Sequence, residues 1–217
     1  MKYSSHSTYI NKEGVEVASV TSILKVLNKP SLSKWANSLG WKRQNVDKVL
    51  MSSAEKGTII HEAINSYLFN EKFKFEETES CDKATLMYAL DNFITWKKQN
   101  DFKPIWGEKK MVCDKFGGTV DLYCELDGKK TILDFKTSKA FYSSMFLELA
   151  AYTHMMEGQD YLVEQVAILL VNENYAKVKI VDRKELDEYI DIFLILTELF
   201  YKVYDLNEEW KDLLDIK

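Results

Sequence analysis

Between Gly117 and Lys139 runs the stretch that most restricts what this chain can fold into. It reads Gly117-Gly118-Thr119-Val120-Asp121, then Lys130-Thr131-Ile132-Leu133-Asp134-Phe135-Lys136-Thr137-Ser138-Lys139. The two halves read as neighbouring strands joined by a tight turn at Asp127-Gly128. Each half sets a carboxylate at the end of an otherwise apolar run, and the second adds a lysine two residues on. Asp134 and Lys136 therefore leave the same face of their strand. Paired in this way, the hairpin brings Asp121, 13 residues upstream, toward Asp134. Two carboxylates and an ammonium crowded onto an apolar scaffold are electrostatically costly unless they hold a cation. The arrangement points to a metal-dependent phosphodiesterase site. Asp-x-Lys alone is a weak signal, equally read as a strand end with a surface ion pair worth under about 1 kcal/mol. Its company gives it weight: Asp121 upstream, Gly117-Gly118 permitting close backbone approach, and Ile132, Leu133 and Phe135 anchoring the strand.

Around this hairpin, 217 residues with 46% hydrophobic and 29% charged content suit a soluble globular chain. The expected organisation is one domain over 1–217. Residues 1–100 form a mainly helical N-terminal lobe, 101–182 the sheet core and 183–217 C-terminal helices. No apolar run reaches the roughly 18 residues of a membrane helix, and the polar start does not read as a signal peptide. Three cysteines, Cys81, Cys113 and Cys124, show no CxxC spacing. A reducing cytoplasm is therefore expected, with no zinc or iron–sulfur site. The net charge of −5 hides an asymmetry. From Thr21 to Gly57 seven basic residues face two acidic ones, whereas from Asp182 to Lys217 eleven acidic face five basic. One region can attract phosphate while the tail repels it; ordinary solvated helix faces account for the same pattern.

Taken in order, the chain opens with a small hairpin, Thr8-Tyr9-Ile10 against Val15-Glu16-Val17. Thr21 or Ser22 caps a short helix that stops at Pro30. Ser31 or Ser33 caps the next, which ends at Gly40. Helical pieces follow at 44–52, 56–68 and 82–98. The sheet is expected to begin at Ile105, with strands at 105–113, 118–126, 130–136, 163–171 and 176–181. A crossover helix spans 142–157, and separate helices at 184–204 and 208–214 close the chain. The fold class is α/β, a central mixed β-sheet flanked by helices with a helical N-terminal lobe.

Gly118-Thr119-Val120-Asp121 followed by Ile132-Leu133-Asp134-Phe135-Lys136-Thr137 resembles the PD-(D/E)xK nuclease superfamily, closest to its RecB-like and phage-type exonuclease branch. Gly57-Thr58-Ile59-Ile60-His61 is similar to that branch's upstream helix, and Glu148-Leu149-Ala150-Ala151-Tyr152 to its Gln-Leu-x-x-Tyr helix. Ser19 to Leu24, with Pro30 and Trp35-Ala36, resembles the start of small single-strand exonucleases of phage and mitochondria. The resemblance implies a restriction-endonuclease-like core in which His61, Asp121, Asp134 and the carbonyl of Phe135 bind Mg²⁺ or Mn²⁺. It implies catalytic roles for Asp121, Asp134 and Lys136, with Lys136 orienting or deprotonating the attacking water. Glu108 matches an acidic position that supports the metal shell. The Gln-Leu-x-x-Tyr helix lies along the substrate in the branch, and Tyr152, Thr137 and Glu148 are candidate supporting or DNA-binding residues. Tyr152 suits core packing as well as phosphate contact, and Glu148 a second metal through water as well as a changed grip on DNA. Two departures stand out: Glu148 replaces the usual glutamine, and Asn65, one turn after His61, replaces a frequent acid. The four cysteines of iron–sulfur members are absent.

His61 gains its functional reading only through its motif; His6 and His154 have none. Trp35 and Trp41, near Lys34, Lys42 and Arg43, can stack the bases of a single strand or pack in the core. Lys34 and Arg43 are candidate DNA contacts. The resulting expectation is a metal-dependent DNA exonuclease of phage or bacterial recombination, repair or replication, working in the cytoplasm of a bacterium or phage-infected host. A structure-specific or restriction-type endonuclease, or a non-catalytic DNA-binding or scaffolding protein, are the alternatives. The expected partners are a DNA end, single- or double-stranded, no membrane, and either further copies of the chain or a single-strand-binding or annealing protein. The stripe Ile190, Phe193, Leu194, Leu196, Thr197, Phe200 and Tyr201 suits core or interface alike.

Overall fold

The structure, a computed structural model, describes residues 9–27 and 30–214. Thr8, His6 and the connection before Pro30 lie outside these. Strand β1 (Tyr9–Ile10) pairs antiparallel with β2 (Glu16–Ser19), as the Asn11–Gly14 turn requires. Helix α1 (Val20–Ile23) and a tight turn at Leu24–Val26 follow. The cap is Ser19, whose hydroxyl accepts from the Ser22 N–H at 3.1 Å, so the helix starts earlier than Thr21 or Ser22 would have it. Helices α2 (Pro30–Trp41), α3 (Val46–Phe69) and α4 (Lys83–Gln99) complete the N-terminal helical region.

The two helical pieces expected at 44–52 and 56–68 are one helix, α3. It is capped by Asn45 and ended by Asn70 in the left-handed conformation. Residues 52–56 contain no breaker, and Gly57 inside a helix costs only about 1 kcal/mol.

Among the described residues the sheet has seven strands, in the order β1-β2-β4-β5-β6-β7, with β3 lying along β4. Strands β3 (Phe102–Val112), β4 (Phe116–Leu126) and β5 (Lys129–Lys136) form an antiparallel meander. Strand β3 begins three residues earlier than expected, because a register shift between Pro104 and Trp106 absorbs the proline's missing donor. The β4–β5 turn falls on Asp127 and Gly128, both at positive φ (52° and 76°), as a two-residue hairpin demands. Helix α5 (Ser143–Glu157) crosses over to β6 (Gln165–Val171), which runs parallel to β5; β7 (Ala176–Asp182) closes the edge. The last helix, α6, runs unbroken from Asp187 to Leu214, since no Gly or Pro interrupts 204–208.

Both sheet faces are covered. Helices α1, α5 and α6 bury Val120, Tyr123, Ile132, Val166, Ile168 and Leu170 on one side. Helices α3 and α4 bury Leu122, Cys124, Leu133, Phe135 and Leu169 on the other. Within the α6 stripe, Phe193 and Thr197 are fully buried and the rest pack against this core, so the stripe is core. No helix among the described residues is long and apolar enough to cross a membrane.

Candidate active site

The site is an interruption of the β4 edge. Strand β5 pairs with β4 from Leu126 back to Leu122, and β2 pairs with the same edge at Phe116 and Gly117. Residues 118–121 between them have no ladder partner on that edge. Strand alternation also slips there. Val120 packs under α5, yet Leu122, two residues on, packs under α3 and α4. Opposite Asp121 on β3 stands Glu108, between the pairs Lys109↔Val120 and Gly107↔Leu122, with φ of 46°. Such irregularities re-aim side chains out of a sheet.

Asp121 fills the opening. Its Oδ2 accepts the Phe135 N–H at 2.9 Å, replacing the backbone bond lost where the strands part. The same oxygen lies 3.5 Å from His61 Nδ1, so α3 meets the hairpin here. The His61 ring also stands edge-on to Phe135 at 5.7 Å. Burial pushes the His61 pKa below its ordinary 6.5, with Asp121 pulling the other way. Near pH 7 the ring is therefore neutral, with a lone pair to offer.

On the α5 side, Asp134 and Lys136 share a face. Asp134 Oδ1 accepts from Lys136 Nζ at 3.0 Å. Its Oδ2 lies 2.8 Å from the same ammonium, but it is enclosed and makes no hydrogen bond of its own. Glu148, from α5, approaches Lys136 at 3.0 Å and accepts the Tyr152 hydroxyl at 3.2 Å. Burial raises the Asp134 pKa well above its ordinary 3.8; Lys136 opposes this, and Asp121 and Glu148 add to it. Burial lowers the Lys136 pKa, but Asp134, Glu148 and Asp121 together more than reverse that. The two directions are compatible. One ammonium stands among three carboxylates, so the lysine stays charged while the acids keep an excess of negative charge.

Glycines admit these neighbours. A Cβ on Gly118 would sit 2.5 Å from the Tyr152 ring, so the open edge of β4 is where that tyrosine lies. A Cβ on Gly107 would collide with Asn65, whose Oδ1 is buried without a hydrogen bond. Gly57 faces Thr137, with its Cβ position 3.5 Å from the hydroxyl.

The structure thus brings His61, Asp121, Asp134, Phe135, Lys136, Glu148 and Tyr152 to one place, with Thr137 beside α3. Glu108 stands at the rim with its side chain largely exposed; partial desolvation of the carboxylate, then Asp121, Glu62 and Glu71, raise its pKa. Lys34 and Arg43 are apart from the site, exposed on α2 and the turn after it. Tyr152 is buried, its hydroxyl directed at Glu148 rather than at solvent. Sequence reasoning missed the Glu148–Lys136 contact and the seat of Asn65 against Gly107. An acid at a glutamine position two helical residues from an apolar seam was the visible signal for the first; the second had none.

The donors fit a hard divalent cation in kind: the Asp121 and Asp134 carboxylates and one neutral imidazole, His61. As the side chains stand, with Lys136 on Asp134, no three His, Cys, Asp or Glu among the described residues converge as a closed metal cage.

No family model matches the chain, and no curated protein does. Solved structures do. A protein designated SSO0001 is 13% identical with a TM-score of 0.39, covering 88% of this chain and 79% of its own. LHK-Exo in complex with dAMP is 9% identical with a TM-score of 0.35, covering 72% of this chain and 85% of that one. A phage related exonuclease from Haemophilus somnus 129PT is 11% identical with a TM-score of 0.38, covering 88% and 96% respectively.

Proposed function

We propose that this chain is a divalent-metal-dependent nuclease that hydrolyses DNA phosphodiester bonds from an end. The observation that carries the reading is the enclosed excess of acid. Asp134 and Glu148 share the Lys136 ammonium at 2.8 and 3.0 Å, Asp121 stands near it as a third acid, and the Asp134 carboxylate is almost wholly enclosed. A folded chain retains such an arrangement at a cost unless a cation completes it. His61, Asp121, Asp134 and the Phe135 carbonyl would hold Mg²⁺ or Mn²⁺. When bound there, the metal supplies Lewis-acid polarisation of the scissile phosphate and a water of lowered pKa.

The chain's own groups supply the rest. Asp121 joins the two sides of the site, touching both the Phe135 N–H and His61. His61 stays neutral and therefore a ligand rather than a competing cation. Lys136 is held charged, which suits it to orienting the water and offsetting charge on the phosphorane, and not to taking a proton. Glu148 gives that ammonium a second anchor, so Lys136 keeps its place when Asp134 turns to the metal. The resemblance to phage-type exonucleases supports a role in phage or bacterial DNA recombination, repair or replication, in the cytoplasm, by one nuclease domain.

End-labelled linear DNA incubated with Mg²⁺ or Mn²⁺, beside circular single-stranded DNA, tests this. The linear substrate is expected to be degraded and the circle left intact. Lys136→Ala protein that cleaves like wild type would sink the mechanism, and a cleaved circle would turn the reading to an endonuclease.

A further inference from the structure

Helix α3 leads away from the site to a surface that the hairpin does not explain. Its first buried residue is Ile60; the 14 residues before it, about 21 Å of helix, are exposed or half-buried and are braced to the body where Lys56 meets Glu173 and Gly57 meets Thr137. At the outer end a turn joins α2 to α3. The turn is fixed: the Arg43 and Gln44 N–H groups donate to the Gly40 and Leu39 carbonyls at 2.9 and 3.0 Å, with Arg43 at φ 56°. On this turn Trp41 is 85% exposed, the most exposed large apolar side chain among the described residues.

Charge sharpens the picture. Of the arm's cations, Lys48 pairs with Glu79 at 3.2 Å and Lys56 with Glu173 at 2.6 Å. Lys34, Lys42 and Arg43 are exposed and make no ion pair among the described residues. A rigid indole face beside three unneutralised cations, on a chain of net charge −5, selects a ligand that is both aromatic and anionic. An apolar protein partner would use Trp41 but would have to desolvate the cations around it. Duplex DNA keeps its base faces stacked within itself and would use only the cations. An unpaired base with its phosphates uses both.

We propose that the α2–α3 arm binds single-stranded nucleic acid, with Trp41 as a stacking platform and Lys42 and Arg43 as phosphate contacts. The proposal rests on the nuclease reading for where the strand leads. From Val46 to His61 the helix rises about 22 Å, and a stacked strand rises about 3.4 Å per nucleotide. The arm therefore engages a strand about six nucleotides from the reacting phosphate.

Binding of labelled oligothymidylates in EDTA, read by fluorescence anisotropy, tests the arm separately from cleavage. Trp41→Ala is expected to weaken binding of a 12-mer about tenfold, a typical loss for one stacked base, while Trp41→Phe stays near wild type. The doubly reversed Lys42→Glu/Arg43→Glu protein is expected to bind weakly and with a flatter salt dependence. A blunt duplex of equal length should compete poorly, and a tetramer should be indifferent to Trp41→Ala. Equal binding by wild type and Trp41→Ala, or equal competition by duplex, overturns the proposal. Wild-type cleavage with Mg²⁺ alongside a silent Trp41→Ala change sinks the arm alone. Trp41-dependent binding without any cleavage upholds the arm and sinks the nuclease reading.

Discussion

The β4–β5 hairpin carries a charge cluster at each end, built from the same residue types. At the closed end Glu125 bonds Lys103 and Lys130 at 3.3 and 3.1 Å, with its side chain 30% exposed. At the open end Asp134 and Glu148 share Lys136, with the carboxylates only 3% and 12% exposed. The closed end has two ammonium groups for two acids, since Lys103 also pairs with Asp101 at 3.7 Å, and it lies in water. The open end, with Asp121 counted, has three acids for one ammonium and lies under α5. Exposed pairs of the first kind contribute little and could be lost without consequence. A cluster of the second kind opposes folding, which marks it as a candidate functional site.

Removing single charged groups should expose the difference most strongly in catalysis. Asp121→Ala, Asp134→Ala and Lys136→Ala are each expected to lower cleavage of end-labelled DNA by at least about 10²-fold, and Lys130→Ala to leave it unchanged. Stability should follow at smaller scale. In the metal-free protein at neutral pH, Lys136→Met strands buried carboxylates and is expected to cost about 3–5 kcal/mol in urea denaturation. Lys130→Met is expected to cost under about 1 kcal/mol. Equal costs at the two ends would erase the distinction.

Most of the hairpin was legible in the sequence because its determinants are local. Asp127-Gly128 sets the turn and therefore the register, and the register sets which carboxylates approach. The crossover helix and the paired strands around 172–174 were legible for the same reason. What escaped depends on contacts distant in sequence. The β2 strand docks beside Phe116, and this leaves residues 118–121 open; no pattern in residues 16–19 announces it. The exposure of Trp41 was equally hidden, since an aromatic near a helix end reads equally as core or surface until the packing around it is seen. Gly118 lies between these cases. As a glycine before an acid it suggested close approach, but the structure identifies the neighbour as Tyr152. Gly118→Ala forces that ring away and is expected to cost about 1–3 kcal/mol. It should also loosen the hydroxyl contact to Glu148, so cleavage by the variant should fall while Gly128→Asn, at the closed end, stays near wild type.

Acid distinguishes the two ends by sign. Burial raises the Asp134 pKa above its ordinary 3.8, so the folded chain takes up that proton before the unfolded chain does. The open end therefore contributes more stability as pH falls from neutral through the folded pKa toward 3.8. At the closed end the hydrogen bonds from Lys130 and Lys103 hold Glu125 below its ordinary 4.5. Its contribution is complete above that value and is lost as pH falls through the folded pKa. Asp134→Asn removes the first response and Glu125→Gln the second. In thermal melts of metal-free protein from about pH 7 to about pH 4, the stability of wild type relative to Asp134→Asn is expected to rise on acidification. Relative to Glu125→Gln it is expected to fall slightly, and only at the acid end of the range. Two differences that move in the same direction would mean that the open end is solvated like the closed one, and the case for an enclosed cation site would go with it.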